Sequence, residues 1–155
     1  MAGYSGTPLP KKLGIKEGHR LALLSAPRAL PAGLDELPKG VTVTRRASGG
    51  TFDVIVLFTD KQNDLEQRFA ETAKRLEPNG GLWVAWPKKS SGVATDLTED
   101  RVRDIALAAG LVDNKVCAID EVWSGLRCVY RLADRPRSES RSRAKSTKVR
   151  TRAAK

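Results

Sequence analysis

Basic side chains at the ends of predicted strands are the first candidates for chemistry in this sequence. Polar residues follow the predicted strands at eight positions, five of them basic: Ser25, Arg45, Arg46, Thr59, Asp60, Lys61, Lys88 and Lys89. In an open α/β sheet, ligands bind beyond the carboxyl ends of the strands. Arginine binds phosphate through two parallel hydrogen bonds, so Arg45 and Arg46 are the leading candidates for an anion site. The alternative is that these positions are exposed strand ends that carry solvated charge.

Residues that commonly perform catalysis or bind metals are scarce. The single histidine, His19, has no evident carboxylate partner, and no nucleophile-elbow motif is present. The two cysteines, Cys117 and Cys128, form no CxxC motif, and there is no HExxH motif. We expect the cysteines to face each other across a hairpin as small buried side chains. The sequence therefore predicts no catalytic residues, no metal site and no bound cofactor.

A long connection and three tryptophans are further candidates. Residues 88–97 are long for a strand-to-helix loop and lack the P-loop spacing. This segment is either a functional lid or a surface loop. Trp83 and Trp86 are an odd number of residues apart in one predicted strand, so we expect them on opposite faces of the sheet. Trp123, near a predicted hairpin turn, is a candidate for lining a pocket or contacting a protein.

A basic segment follows the apolar part of the chain. Residues 134–155 contain nine basic and two acidic residues, a net charge of +7 within a total of +10. The basic residues are Arg135, Arg137, Arg141, Arg143, Lys145, Lys148, Arg150, Arg152 and Lys155. With so few apolar residues, the segment is predicted to be disordered. It suits weak, salt-dependent nucleic-acid binding without sequence reading, or a solubilising role with no dedicated partner.

Composition excludes several classes of protein. The 155 residues suffice for about one domain, and 40% apolar with 30% charged residues is typical of a soluble domain. No apolar run approaches the length of a membrane helix. The first six residues do not resemble a signal peptide. We therefore expect a cytoplasmic protein with reduced thiols.

Hydrophobic periodicity predicts alternating strands and helices. Strands are expected at residues 19–24, 41–44, 52–58, 82–86, 115–120 and 126–132. Helices are expected around residues 9–13, at 28–38, at 62–76 and from 99 to 109. The segment 78–81 (Pro-Asn-Gly-Gly) should end the third helix, and residues 123–125 (Trp-Ser-Gly) should form the turn of a closing hairpin.

This order predicts a three-layer, Rossmann-like α/β fold with a mostly parallel sheet and a C-terminal antiparallel hairpin. The predicted organisation is an N-terminal arm (residues 1–18), one α/β domain (residues 19–133) and the basic tail (residues 134–155).

The chain resembles a class I, Rossmann-like methyltransferase over residues 50–132, and more loosely over residues 19–46. The similarity lies in the runs 52–56 (Phe-Asp-Val-Ile-Val) and 80–84 (Gly-Gly-Leu-Trp-Val) and in the closing hairpin. The segments 3–9, 11–16, 86–89 and 113–117 are similar to a small bacterial family of unknown function. The resemblance implies a fold and carries no known activity with it.

The sequence departs from the methyltransferase pattern where S-adenosylmethionine would bind. That family has a glycine-rich turn after its first strand, whereas this chain has residues 25–28 (Ser-Ala-Pro-Arg). The second strand of the family ends in an acid that binds the ribose, whereas this strand ends in Arg45 and Arg46. One strand–helix unit is also missing before Phe52. S-adenosylmethionine binding in the usual mode is therefore not expected.

Three functions remain open. The leading prediction is a non-enzymatic, degenerate methyltransferase-fold module that binds an anionic small molecule or a protein partner, with no role in membranes. The first alternative is a divergent methyltransferase or other transferase that uses the cleft at the strand ends. The second alternative is a nucleic-acid-associated accessory protein that acts through its basic tail.

Overall fold

The computed structural model describes residues 7–131. The first six residues and the predicted basic tail, with its nine basic positions, lie outside the described residues. The helices are α1 (Leu9–Lys12), α2 (Gln62–Ala73) and α3 (Glu99–Ala108), with a short 3-10 turn at Lys89–Ser91. The strands are β1 (Arg20–Leu24), β2 (Thr42–Thr44), β3 (Phe52–Phe58), β4 (Leu76–Pro87), β5 (Leu111–Ala118) and β6 (Trp123–Tyr130). None of these helices is long and apolar enough to cross a membrane.

The six strands form one sheet in the order β2-β1-β3-β4-β6-β5. Strands β1 to β4 pair in parallel, whereas β6 is antiparallel to both of its neighbours. The prediction of a mostly parallel α/β sheet closed by an antiparallel hairpin is confirmed. The carboxyl ends of β1–β4 share one edge of the sheet, named here the carboxyl edge, and their amino ends share the amino edge. The chain moves outward from β1 to β2 and returns to β3, so the order reverses between β1 and β3.

The two faces of the sheet are covered by different kinds of structure. On one face, α2 and α3 pack on a core that includes Phe52, Trp86 and Val102. On the other face, α1 and an irregular segment pack on a core that includes Leu13 and Trp83. The Trp83 Nε1–H donates to the Leu13 carbonyl oxygen at 3.0 Å, and this hydrogen bond links the segment after α1 to the sheet. The expectation that Trp83 and Trp86 lie on opposite faces is confirmed.

Two predicted elements are wrong in their type or bounds. Residues 28–38 form turns rather than a helix, because Pro31 and Gly33 interrupt the segment and Gly33 has a φ of +102°. Helix α2 ends at Ala73, and β4 already begins at Leu76, so residues 78–81 continue a strand instead of ending a helix. The apparent turn signal marks an irregular register between β3 and β4, at Phe52 and Val54.

The hairpin turn and the cysteine pairing also differ from the prediction. The turn lies at residues 119–122, where the Asp120 carboxylate accepts hydrogen bonds from the Val122 and Trp123 backbone N–H groups, both at 2.8 Å. Residues 123–125 are inside β6. Cys117 therefore pairs with Gly125, and Cys128 pairs with Asp113, so the cysteines do not face each other.

Candidate functional site

A cavity of about 260 Å³ opens at the carboxyl edge, next to the point where the strand order reverses. This carboxyl cleft is lined by Ser25, Phe58, Thr59, Asp60, Asp64, Arg68 and Trp123. Its position is the one where open α/β sheets bind ligands. Its volume is slightly below the roughly 300–1,000 Å³ of small-molecule pockets. The cleft therefore suits part of a ligand rather than an enclosed one.

Hydrogen bonds within the cleft fix most of its polar groups. The Thr59 hydroxyl donates to an Asp64 carboxylate oxygen at 2.7 Å, and Arg68 contacts the same oxygen at 3.3 Å. The Trp123 ring meets the Phe58 ring edge-on, with centroids 5.1 Å apart. The charge of Asp64 is thereby compensated within the cleft. Trp123, predicted near a hairpin turn, is a wall of this cleft from the first position of β6.

The loop after β4 closes against the same edge. The Thr95 hydroxyl donates to the Asp60 carbonyl oxygen at 2.6 Å. The Gln62 backbone N–H, at the start of α2, donates to the Asp96 carboxylate at 2.7 Å. A helix N-terminus is an intrinsic anion site, and here a carboxylate of the protein already occupies it. Anion binding at this edge therefore depends on side chains rather than on the α2 dipole.

The structure places the eight predicted site residues on one edge, but in two groups. Ser25, Thr59 and Asp60 line the cleft. The five basic residues are outside its lining, at the ends of β2, β3 and β4, and they are named here the carboxyl-edge cations: Arg45, Arg46, Lys61, Lys88 and Lys89. Within residues 7–131, no carboxyl-edge cation forms an ion pair, whereas Arg68, Lys74 and Arg103 each form at least one.

The residues of the cleft do not fit S-adenosylmethionine in the usual mode of the methyltransferase fold. Ser25, which follows β1, has a φ of +56°, a left-handed conformation that glycine adopts without strain. It carries a side chain where the methyltransferase pattern has glycine, and Pro27 has no backbone N–H to donate. Beyond β2, Arg45 and Arg46 present positive charge where the ribose hydroxyls would need a carboxylate.

A second polar cavity, of about 380 Å³, lies at the amino edge and was not predicted from the sequence. The polar side chains in its lining are Lys16, His19, Asp53, Asn79 and Arg127, with Gly80 at the backbone. The signal that could have found it is Asp53, an acid inside an otherwise apolar strand, which is only 8% exposed. His19, which has no evident carboxylate partner in the sequence, belongs to the same cavity lining as this acid.

Burial changes the acid–base properties of three groups on β5 and β6. Desolvation lowers the pKa of Arg127, a half-buried guanidinium on β6. Desolvation also raises the pKa of the half-buried Cys117 thiol and raises that of the buried Cys128 thiol to about 12. Both cysteines are therefore protonated at neutral pH. In the part of the chain that the structure describes, no group of three or more His, Cys, Asp or Glu side chains is placed to hold a metal ion.

Solved structures similar to this chain are methyltransferases and related proteins. A SAM-dependent methyltransferase from Aquifex aeolicus is 18% identical, with a TM-score of 0.54, over 76% of this chain and 85% of that one. The fibrillarin pre-rRNA processing protein of Methanococcus jannaschii is 14% identical, with a TM-score of 0.54, over 80% of this chain and 69% of that one. At such identities the similarity shows the fold, and the predicted methyltransferase-type fold is confirmed.

A looser similarity, with a TM-score of 0.43, links the chain to magnesium protoporphyrin IX methyltransferase from Synechocystis with bound SAH. This chain covers 52% of the length of that structure. No curated protein matches the sequence. The model of a protein family of unknown function, DUF3052, matches residues 39–132, which is more than half of the chain and includes β2 to β6. The chain therefore belongs to the DUF3052 family of proteins of unknown function.

Proposed function

We propose that this protein is a non-enzymatic binding module on a methyltransferase-type fold, and that it holds an extended anionic ligand or an acidic protein surface along the carboxyl edge. The observation that carries the proposal is the set of five carboxyl-edge cations without a carboxylate partner in the described residues. Elsewhere on the surface, Lys74 is paired with Glu71, and Arg103 contacts three carboxylates. Lys11 and Lys16 are exposed cations without an ion pair in the described residues, so the carboxyl edge is distinguished by five unpaired cations at neighbouring strand ends.

The spacing of the sheet sets the size of the ligand. Three strand spacings separate β2, which precedes Arg45, from β4, which precedes Lys88. At about 4.8 Å per spacing, the cations extend over roughly 14 Å. One phosphate group is too small to contact both ends of this band. An extended polyanion or an acidic surface can contact several cations together, and each contact adds attraction.

The carboxylates of the cleft limit where the anion lies. Asp64 is bonded to Thr59 and Arg68, whereas Asp60 forms no ion pair among the described residues. An anion centred in the cleft would be repelled by Asp60. The bound ligand is therefore expected to follow the exposed cations around the cleft, and the cleft itself suits a neutral or donor group of the same ligand.

The test is calorimetric titration of the full chain with linear polyphosphate at low salt, in the wild type and in Arg45→Gln/Arg46→Gln. The matched control, Lys11→Gln/Lys39→Gln, removes two exposed positive charges that lie outside the carboxyl edge and form no ion pair in the described residues. We expect the arginine variant to bind about fivefold more weakly, because two exposed charge contacts contribute about 1 kcal/mol together. Equal losses in both variants would show that net charge alone attracts the polyanion, and would refute the proposed site.

A divergent methyltransferase is the second candidate, and the fold similarity to the Aquifex aeolicus enzyme favours it. It requires S-adenosylmethionine to bind in a mode that tolerates Ser25 and Pro27. Saturable binding of the cofactor would establish this candidate. Its absence, together with polyphosphate binding that depends on Arg45 and Arg46, supports the binding module.

A further inference from the structure

Arg127 at the amino edge is a half-buried charge that the proposed function does not use. Its guanidinium lies against the backbone of Gly81, and a Cβ added there would come within 2.7 Å of the Arg127 Cζ. Glycine at this position therefore makes room for the guanidinium. Its single hydrogen bond in the described residues is a long one, 3.4 Å, to the Asn114 side-chain oxygen.

A half-buried guanidinium without a carboxylate is costly, because the protein does not replace the water that the charge loses. Arg103 shows how this chain treats an arginine that serves structure: it contacts three carboxylates at 2.6–3.0 Å. No carboxylate forms an ion pair with Arg127 among the described residues. The arrangement thus leaves the donors of Arg127 available to an anion from solution.

Two further donors line the same cavity. The His19 Nδ1 accepts a hydrogen bond from the Lys16 backbone N–H at 3.1 Å. The neutral imidazole therefore carries its proton on Nε2, which makes that nitrogen a donor. The Lys16 ammonium is exposed and has no ion-pair partner in the described chain. The cavity thus combines a guanidinium fork, an imidazole N–H and an ammonium group.

The acid of the cavity reduces its positive charge but does not cancel it. An oxygen of the Asp53 carboxylate accepts the Arg20 backbone N–H at 2.8 Å. Against this one negative charge, Lys16 and Arg127 bring two positive charges to the lining. A protonated phosphate oxygen can donate a hydrogen bond, so a carboxylate beside the donors is compatible with a phosphate that keeps one proton.

We propose that the amino-edge cavity is a second binding site, separate from the carboxyl edge, for inorganic phosphate or a phosphate monoester. Arg127 binds the phosphate through two parallel N–H donors, which is the geometry that distinguishes arginine from lysine. His19 and Lys16 donate to the remaining oxygens. The volume of about 380 Å³ leaves room for a small group esterified to the phosphate.

The single histidine provides a local reporter for this site. Inorganic phosphate is titrated into the full chain while the imidazole proton resonances of His19 are followed by NMR. We expect a saturable shift in the wild type, and binding at least about tenfold weaker in Arg127→Gln, because the variant loses the charged donor pair that holds the phosphate. Lys16→Gln, at an exposed position, is a second variant that is expected to weaken binding while leaving the fold intact.

Arg45→Gln/Arg46→Gln is the control that separates the two sites. It is expected to leave the His19 response to phosphate unchanged, whatever it does to polyphosphate binding at the carboxyl edge. The inference is overturned if phosphate leaves the His19 resonances unmoved. It is equally overturned if the shift persists in both Arg127→Gln and Lys16→Gln, or if the carboxyl-edge variant removes it.

Discussion

At the carboxyl edge, four exposed cations and the partly buried Lys88 lie around a cleft that contains two carboxylates. One of these, Asp64, is bonded to Thr59 and Arg68. At the amino edge, one guanidinium, that of Arg127, lies half-buried on a glycine and lines a cavity with a histidine and a buried acid. The first arrangement suits weak, salt-sensitive contacts with a large anion. The second suits a small anion held in defined geometry. The difference shows that the two edges of one methyltransferase-type sheet can carry quite different arrangements of charge.

The largest expected effect comes from the backbone at the amino edge. A Cβ at residue 80 would lie 2.5 Å from the Asp53 carbonyl oxygen and 3.1 Å from that of Glu77, so Gly80→Ala forces the backbone to move. We expect its free energy of unfolding in urea to fall by about 3 kcal/mol. Gly92→Ala, in the loop at the carboxyl edge, adds strain at a φ of +80° without a clash and is expected to lose about 1 kcal/mol. Equal losses would contradict the close backbone contacts at Gly80.

The pH dependence of stability tests the burial of Cys128. Cys128 has a folded pKa of about 12, above the ordinary value of 9.0, because the folded chain disfavours its thiolate. The contribution of the protonated Cys128 thiol to the free energy of unfolding is complete below about pH 9. It is lost as the pH rises toward 12. The free energy of unfolding of the wild type should therefore decline more steeply above pH 9 than that of Cys128→Ala.

Thiol reagents provide the companion measurement. Cys117 is partly exposed, whereas Cys128 is fully buried, so the reagent should modify Cys117 in the native protein and Cys128 only after unfolding. The single variants Cys117→Ala and Cys128→Ala identify which thiol reacts. Faster modification of Cys128 than of Cys117 would contradict the assigned register of the hairpin.

A smaller effect distinguishes a binding role of Arg127 from a structural one. Methionine retains much of the apolar stem of arginine but has no charge to desolvate. We expect the free energy of unfolding of Arg127→Met to be within about 1 kcal/mol of the wild-type value, or slightly above it. Circular dichroism during urea unfolding measures this change. A loss of several kcal/mol would show that the guanidinium stabilises the sheet, which would weaken the case for a phosphate site.

The smallest effect concerns the turn after β1. Ser25→Gly removes the strain of a left-handed residue, worth about 1–2 kcal/mol, but also makes the unfolded chain more flexible by about 0.5–1 kcal/mol. The free energy of unfolding, measured by heat or urea, should therefore rise by about 0.5 kcal/mol. Restoring this glycine should not create S-adenosylmethionine binding, because Pro27 and the arginines beyond β2 remain.

The sequence predicted strands and helices best where the spacing of apolar residues matches the face that the fold buries. The apolar run of β3 and the helical spacing of Leu65 and Phe69 predicted a parallel sheet with a packed helix, and both are present. The prediction failed where a glycine or proline is required by contacts with distant parts of the chain rather than by a turn. Gly80 and Gly125 resemble turn residues, yet both lie in strands, where a Cβ would clash with Asp53 in one case and with Ile119 and Trp83 in the other.

The candidate site was predictable only in part, for a similar reason. Strand ends can be located from the sequence, so the clustering of Ser25, Thr59 and Asp60 at one edge followed from the order of elements. The amino-edge cavity depends on the register of β4 with β6, which brings Arg127 over Gly81. No local pattern specifies that contact between residues far apart in the sequence, and so the cavity emerged only from the folded structure.

The most direct test of the central claim is a pair of calorimetric titrations of the full chain at low salt, one with S-adenosylmethionine and one with linear polyphosphate. The account predicts saturable heat with polyphosphate, reduced by Arg45→Gln/Arg46→Gln, and none with S-adenosylmethionine while circular dichroism shows a folded protein. Saturable micromolar binding of S-adenosylmethionine would contradict it, and would identify a methyltransferase with an unusual cofactor turn.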